Sequence, residues 1–441
     1  MKICHNRNRR NENMKMISQP DSRILKLIQQ DIPADQINMK KSVYALTFEY
    51  DQKVYLFHTM SRELVELDGS CPKTINTQNQ MNDELRYLIS HHFFVREDID
   101  EYRTYCSVIS LLRMMKQENG YSTYTILPTT YCNARCFYCY ELDYHFTAMD
   151  QDKTDQLIQF ILNTHQEDEI LLRWFGGEPL LGKQVINQVC SVLKENNVSF
   201  RSFMVTNGFL FNESSVSEAV NLWNLKTVQI TLDGDEEEYN RRKNYFDKSI
   251  SPFGKVTENI ALLKQAGIKV RLRINMDFEN IESVRSLCAH LDQLFPDKSG
   301  LGVYVHPLFL AEMSSRCNEI WEECMKMEDL FEEKGFAVSQ NRGMEPIRLY
   351  YCIASNPSCV SIGADGLVYS CEHCHQESLL GNMEQNDISR RRSCDAEVVR
   401  EKCRTCPFLP ECTEFADCPD LVYDCRSVHK IRLLHTLKKK I

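Results

Sequence analysis

The 441-residue sequence contains no run of about 18 uninterrupted apolar residues, so no membrane-spanning helix is expected. Positive charge is not in excess. Lys and Arg number 52 against 62 Asp and Glu, a net −10, which argues against a surface built for nucleic acid. The opening MKICHNRNRRNENMKMISQP is basic but has no apolar stretch behind its charges, so it does not read as a secretory signal. No GxGxxG and no P-loop follows any candidate strand, which removes nucleotide binding through those motifs. Cysteine is also too sparse for a disulfide scaffold: 20 in 441 is about 4.5%, against roughly 8–10% in short secreted scaffolds. A cytoplasmic setting is therefore expected, where thiols stay reduced and clustered cysteines mark metal.

With 43% apolar and 26% charged residues, the chain is long and apolar enough for about three bodies with real cores. Residues 1–24 read as a mobile tail, with Met14 as a possible alternative start. Residues 25–118 read as a small α+β body for recognition or docking, or simply for packing. Within it VYALTFEY and KVYLFHT alternate around Asp51-Gln52 as a hairpin, Glu84 to Phe94 is expected to be helical, and a second helix runs toward Asn119-Gly120. From 119 to 340 short apolar strands alternate with helices: YTILP, ILLRWF, SFMVT, TVQITL, KVRLRIN and GVYVHPL are the six candidate strands. Six strand–helix units in series predict a parallel sheet, either doubly wound or a partial barrel, with its chemistry at the C-terminal strand ends. Residues 341–441 are the cysteine-rich remainder.

The strongest signal lies just past the first strand, in Cys132-Asn-Ala-Arg-Cys136-Phe-Tyr-Cys139. Three thiolates at these intervals suit one face of an iron–sulfur cubane, with one iron left open for a small molecule. The alternative is a zinc site that borrows a distant ligand, or unrelated buried cysteines. With Tyr138 at its aromatic position, this segment resembles the CxxxCxxC motif of the radical S-adenosylmethionine (SAM) superfamily. Gly176-Gly177-Glu178-Pro179 resembles the family's GGEP segment, Thr206-Asn207-Gly208 a second recurrent turn, and Thr231-Leu232-Asp233-Gly234 its SLDG. The resemblance implies a partial (β/α)6 barrel of the TIM type, flanked by a small α+β N-terminal domain and a Cys-rich iron–sulfur domain. It implies a SAM-binding [4Fe–4S] cluster on Cys132, Cys136 and Cys139. Tyr138, Gly176, Gly177, Glu178, Asn207, Thr231, Asp233, Arg242 and Asn275 are the implied or candidate SAM-pocket residues, Arg242 for the SAM carboxylate, with Arg273 as a further candidate.

A second cysteine system follows. Thirteen residues separate Cys352 from Gly366 and four separate Gly366 from Cys371, then come Cys403, Cys406, Cys412, Cys418 and Cys425. This resembles the SPASM domain of radical SAM peptide and protein maturases, although five residues between Cys412 and Cys418 replace the usual three. The resemblance implies one auxiliary [4Fe–4S] cluster on Cys352, Cys359, Cys371 and Cys418 and another on Cys403, Cys406, Cys412 and Cys425, three clusters in all. Cys359 would close its cluster for electron transfer. A zinc ribbon on Cys371, Cys374, Cys403 and Cys406 competes, but its 28-residue spacer exceeds the typical 15–20. Cys190, Cys288, Cys317 and Cys324 are expected in the core.

By this resemblance the chain is an oxidoreductase that uses a 5′-deoxyadenosyl radical to modify, by cross-linking, a ribosomally made precursor peptide. A sulfatase maturase that generates formylglycine is the alternative, and a non-enzymatic iron–sulfur or zinc protein is the reading from another class. A flavodoxin- or ferredoxin-like reductant is the implied electron source, with neither nucleic acid nor membrane as a partner. Glu372, beside Cys371, stands where sulfatase maturases carry an Asp suited to proton removal and is the candidate general base.

Overall fold

The computed structural model describes residues 14–28, 38–76, 82–116, 120–141, 145–166, 168–308, 315–338, 347, 349–350, 352–384, 400–412 and 425–441. They divide into two units, one drawn from residues 1–117, 340–351 and 395–441, the other from 118–339 and 352–394. The expected cysteine-rich third body is thus shared out: residues 352–394 belong with the barrel and 395–441 with the N-terminal unit.

In the first unit β1 (Met14–Ser18), α1 (Ser22–Ile28), β2 (Asn38–Lys41), β3 (Ala45–Tyr50), β4 (Lys53–His58), β5 (Glu63–Leu67), β6 (Thr74–Asn76), α2 (Asp83–Ser90), β7 (Phe94–Arg96) and α3 (Glu101–Met115) form two antiparallel sheets with helices. Their strand orders are β1-β5-β4-β3 and β6-β2-β7. The expected hairpin is β3–β4, and Asp51 and Gln52 take φ values of 47° and 61°, the left-handed pair that a two-residue hairpin turn demands. Of the tail expected over residues 1–24, residues 1–13 lie outside the described residues, and residues 14–24 are structured. Met14–Ser18 pairs with β5 and Ile24 is fully buried, because the apolar Met16-Ile17 and Ile24 positions find partners only once β5 and α3 are in place. The helix Cys425–Lys438 supplies Leu433 and Leu437 to a core cluster with Phe48, Tyr55 and Phe57.

In the second unit β8 (Thr123–Ile126), α4 (Gln151–Thr164), β9 (Ile170–Trp174), α5 (Lys183–Glu195), β10 (Phe200–Thr206), α6 (Glu213–Asn221), β11 (Leu225–Thr231), α7 (Glu236–Lys243), α8 (Pro252–Gln265), β12 (Lys269–Met276), α9 (Ile281–Leu294), β13 (Leu301–Pro307) and α10 (Cys317–Glu333) alternate as expected. All six anticipated strands occur, and β8 to β13 are parallel neighbours in chain order, the sheet that the expected partial barrel requires. Alternation divides each strand: Leu172, Trp174, Val228, Ile230, Val270, Leu272 and Ile274 are buried on one face, while Arg173, Thr227, Gln229, Arg271 and Arg273 are more accessible on the other. Side-chain caps set the helix starts, as where Asp150 accepts from Lys153 N at 2.9 Å and Asn212 from Ser215 N at 2.9 Å.

The sheet continues past the barrel. A short β14 (Ala337–Val338) extends one edge; at the other, β15 (Cys359–Ile362) runs parallel to β8, followed by antiparallel β16 (Leu367–Tyr369) and β17 (Leu379–Asn382). Gly366 makes the β15–β16 turn at φ 85°. Cys190, Cys288, Cys317 and Cys324 are buried in the helices, as their apolar surroundings in the sequence suggest. Among the described residues no helix is long and apolar enough to cross a membrane.

Candidate SAM and iron–sulfur site

The loop after β8 carries Cys132, Cys136 and Cys139, all half-buried and none in a disulfide. Backbone contacts hold it from two sides. Gly177 N donates to Thr129 O at 3.1 Å and Glu178 N to Tyr131 O at 2.9 Å, so the Gly-Gly-Glu turn after β9 lies directly on the cysteine loop. A Cβ on Gly177 would stand 2.3 Å from Tyr131 O and 2.6 Å from Thr130 O, and one on Gly176, at φ 104°, would stand 2.5 Å from Thr129 O. On the other side Arg135 N donates to Lys243 O and Phe246 N to Asn133 O, both at 3.1 Å. The Arg135 guanidinium lies over the rings of Phe146 and Phe246 at 4.8 and 4.6 Å and donates to Cys132 O and Ala134 O. Burial, the Glu178 charge and the neighbouring thiols push the Cys132 thiol up to about 12, while burial also raises Cys136 and Cys139.

Several expected SAM contacts are spoken for within the protein. Glu178 is fully buried and its oxygens accept from Thr206 Oγ1 at 2.8 Å, Asn207 N at 2.8 Å and Leu180 N at 3.2 Å. Burial lifts this carboxyl to about 7 against the downward pull of those donors. It therefore ties the glycine turn to the end of β10, and the backbone of Gly176 and Gly177 is what faces the cysteine loop. Arg242 is likewise fully buried, its fork on both oxygens of Asp277 at 2.8 and 2.9 Å and its Nε on Glu238. That guanidinium fastens α7 to the end of β12.

Asp233, buried after β11, accepts from the Tyr138 hydroxyl and from Asn275 N at 3.2 Å, and pairs with Lys243 Nζ at 3.3 Å. Lys243 Nζ also donates to Tyr138 Oη at 2.7 Å. Burial by itself would lower the lysine, but Asp233 and its neighbours hold it well above its ordinary value. Sequence reasoning passed over Lys243 as part of a basic run. The signal was the helical spacing: Tyr239, Arg242 and Lys243 lie three and four apart, on one face of α7, and all three are buried. Asn207 spans the site by donating to Asn133 Oδ1 at 2.7 Å. Asn275, mostly buried, accepts from Arg273 Nε at 2.8 Å, and Thr231 lies beside Arg273 in the sheet register.

The auxiliary cysteines fall in separate units. Cys359 opens β15 opposite Thr123, and Cys371 follows two residues after the end of β16, opening a turn in which Cys374 adopts φ 47° and donates its N–H to Cys371 O at 3.1 Å. Cys352 is exposed. His373 of that turn stacks on Tyr140 of the radical-site loop, ring centroids 4.4 Å apart and 12° from parallel, so Glu372, half-buried, sits on a turn anchored to the first cysteine loop. Glu141 at the end of that loop, which the sequence did not single out, is buried with one oxygen unpartnered and is raised by that burial to about 7. Cys403, Cys406, Cys412 and Cys425 lie in the first unit, half-buried, while Cys418 falls outside the described residues.

Among the described residues no three His, Cys, Asp or Glu side chains converge on one point as ligands of a single ion. A cubane asks something different, since each thiolate binds its own iron. Three free thiols on one loop, with bare glycine backbone packed beside them, fit that demand.

Residues 126–291 match the family model described as Radical SAM superfamily. No curated protein matches the sequence. Among solved structures the fold is similar to anSMEcpe with bound S-adenosylmethionine, at 15% identity and TM-score 0.53 over 72% of this chain and 95% of that one. It is also similar to Streptococcus suis SuiB bound to precursor peptide SuiA, at 12% identity and TM-score 0.50 over 88% of this chain and 99% of that one. Given that match, the six parallel strands in order and the three-cysteine loop at the head of the first, residues 126–291 of this chain form a radical SAM domain.

Proposed function

We propose that this protein is a radical SAM maturase that oxidatively modifies a ribosomally made peptide, forming a cross-link. The observation that carries the reading is the cysteine loop pressed against the Gly176-Gly177 backbone at the C-terminal end of the barrel. Similarity to SuiB, solved with its precursor peptide, supports a peptide as the substrate. When bound, a [4Fe–4S] cluster with SAM supplies one-electron cleavage of the C5′–S bond, and thereby a radical able to take hydrogen from an unactivated carbon.

The chain's own residues prepare that chemistry. Cys132, Cys136 and Cys139 would hold the cluster, and Gly176 and Gly177 present backbone carbonyls to the SAM ammonium without a side chain in the way. Tyr138, Asp233 and Lys243 brace the loop from below, so that it keeps its shape without solvent. Cys352, Cys359 and Cys371 in one unit, and Cys403, Cys406, Cys412 and Cys425 in the other, are the residues that would hold auxiliary [4Fe–4S] clusters, able when bound to take up the surplus electron. A flavodoxin- or ferredoxin-like protein would supply the first one. Glu372, on the turn stacked against Tyr140, is proposed to take the proton that leaves as the substrate radical is oxidised.

Anaerobic incubation of the reconstituted protein with SAM, reductant and the short peptides encoded beside its gene tests the reading by mass spectrometry. Loss of two hydrogens with a new intrachain link is the expected product, whereas an aldehyde would identify the formylglycine chemistry instead. Replacing Cys132, Cys136 and Cys139 by Ala abolishes 5′-deoxyadenosine formation on this reading; persistence of that product in the purified variant refutes it. Glu372→Gln is expected to cleave SAM yet accumulate much less modified peptide.

A further inference from the structure

The strand face of the barrel turned away from the helices carries a one-signed charge. Arg173 on β9 and Lys269, Arg271 and Arg273 on β12 all lie on it: in the sheet register Arg173 stands beside Thr125 and Phe203, Lys269 beside Thr227, Arg271 beside Gln229 and Arg273 beside Thr231. The alternate positions Leu172, Val270, Leu272 and Ile274 are buried on the opposite face. Across β8 to β13 no Asp or Glu occupies any strand position on either face. The whole chain, by contrast, is acidic, at net −10.

None of the four cations makes an ion pair among the described residues, whereas Arg201, at the start of β10, is paired with Glu169 at 3.0 Å. Two of them are held in place by neutral partners. Arg173 Nη1 donates to Thr125 Oγ1 at 3.2 Å and its guanidinium lies 5.9 Å from the Phe203 ring, and Arg273 Nε donates to Asn275 Oδ1 at 2.8 Å. Lys269, Arg271 and Arg273 follow one another at alternate positions of β12, and like charges so placed repel one another unless something anionic joins them. A single SAM brings one carboxylate, fewer than four cations can use.

Resting on the radical SAM reading above, we propose that this face binds the substrate through carboxylates, so that the peptide segment entering the barrel is acidic, rich in Asp or Glu around the residue that reacts. Arg173 and Arg271, on different strands, give such a segment two points of attachment, and guanidinium forks suit carboxylates for two-point recognition.

The test uses the full-length reconstituted protein with SAM and two N-acetylated, C-amidated decapeptides, one alternating Gly and Asp, the other alternating Gly and Lys. Isothermal titration at low salt is expected to show the Asp peptide binding at least about tenfold more tightly, with the advantage shrinking as salt is raised. Arg173→Gln/Arg271→Gln is expected to lose that preference, and Arg173→Lys/Arg271→Lys to keep most of it, at unchanged iron content and circular dichroism. Equal affinity for the two peptides, a preference for the Lys peptide, or a preference that survives the Gln variant overturns the proposal. Deoxyadenosine formation by the wild-type protein is scored separately. Cleavage without an acidic preference defeats this inference alone, and absence of cleavage defeats the radical SAM reading on which it rests.

Discussion

Gly177 packs against the carbonyls of Tyr131 and Thr130 so tightly that no space is left for a methyl group. Both obstacles are backbone, so the cysteine loop must move to admit one. Gly177→Ala is expected to destabilise the protein by about 1–3 kcal/mol, the usual cost of overpacking, and to lower the iron that reconstitution places in the loop. Urea denaturation and iron analysis check the two halves of that expectation. Lys243 makes a different point. Its ammonium is buried with the Asp233 carboxylate, and Lys243→Met would leave that carboxylate charged without a cation. Removing one partner of a buried pair costs about 3–5 kcal/mol, while replacing both costs much less. Lys243→Met/Asp233→Asn is therefore expected to unfold at a higher urea concentration than Lys243→Met alone, and the reverse order would show that the pair contributes little.

At the scale of an element, β15 shows how the barrel is extended. It pairs in parallel with β8, and Ser361, beside Thr125, is fully buried with a hydroxyl that finds no partner among the described residues. A buried hydroxyl without a hydrogen bond costs about 1–3 kcal/mol relative to a satisfied one. Ser361→Ala keeps the strand and removes the orphan, so it is expected to raise stability by about 1 kcal/mol, read as a higher thermal midpoint. A lowered midpoint would mean that the hydroxyl has a partner in solution. The helix α7 is the complementary case. Three glutamates open it and Arg241, Arg242 and Lys243 close it, the order that the helix dipole favours, yet the last two also turn inward to Asp277 and Asp233. A basic run in the sequence thus becomes two structural salt bridges, not a solvated face.

Over the whole molecule the chain leaves its N-terminal unit, builds the barrel, and returns. The returning helix Cys425–Lys438 places Leu433 and Leu437 in a core with Phe48, Tyr55, Phe57 and Leu64, contributed by strands almost four hundred residues earlier in the chain. Truncating one of these leucines opens a cavity that the surrounding strands fill only in part. Leu433→Ala is expected to cost about 2–5 kcal/mol. It should broaden or split the denaturation curve by weakening one unit before the other; an unchanged midpoint would remove the helix from that core. Cys403, Cys406 and Cys412 belong to this unit as well, and Cys403 and Cys406 pack against its apolar clusters.

The sequence pattern by itself determined a parallel sheet of strand–helix units, and left open whether it is doubly wound or a partial barrel. Period-two apolar strands and helical stretches recur in strict order, so the six parallel strands and the hairpin at Asp51-Gln52 were legible from local pattern alone. So was the cysteine loop, because three thiols within eight residues must share one loop whatever surrounds them. What the tertiary structure decided is how each polar side chain is used. Glu178 and Arg242 carry the right chemistry for SAM, but burial obliges each to find a protein partner, and Thr206, Asn207 and Asp277 supply it. The grouping of residues 395–441 with the N-terminal unit and the pairing of Met14–Ser18 with β5 also depended on partners far away in sequence. A strand edge or an apolar helix face is completed by whatever packs against it, and no local pattern names that partner.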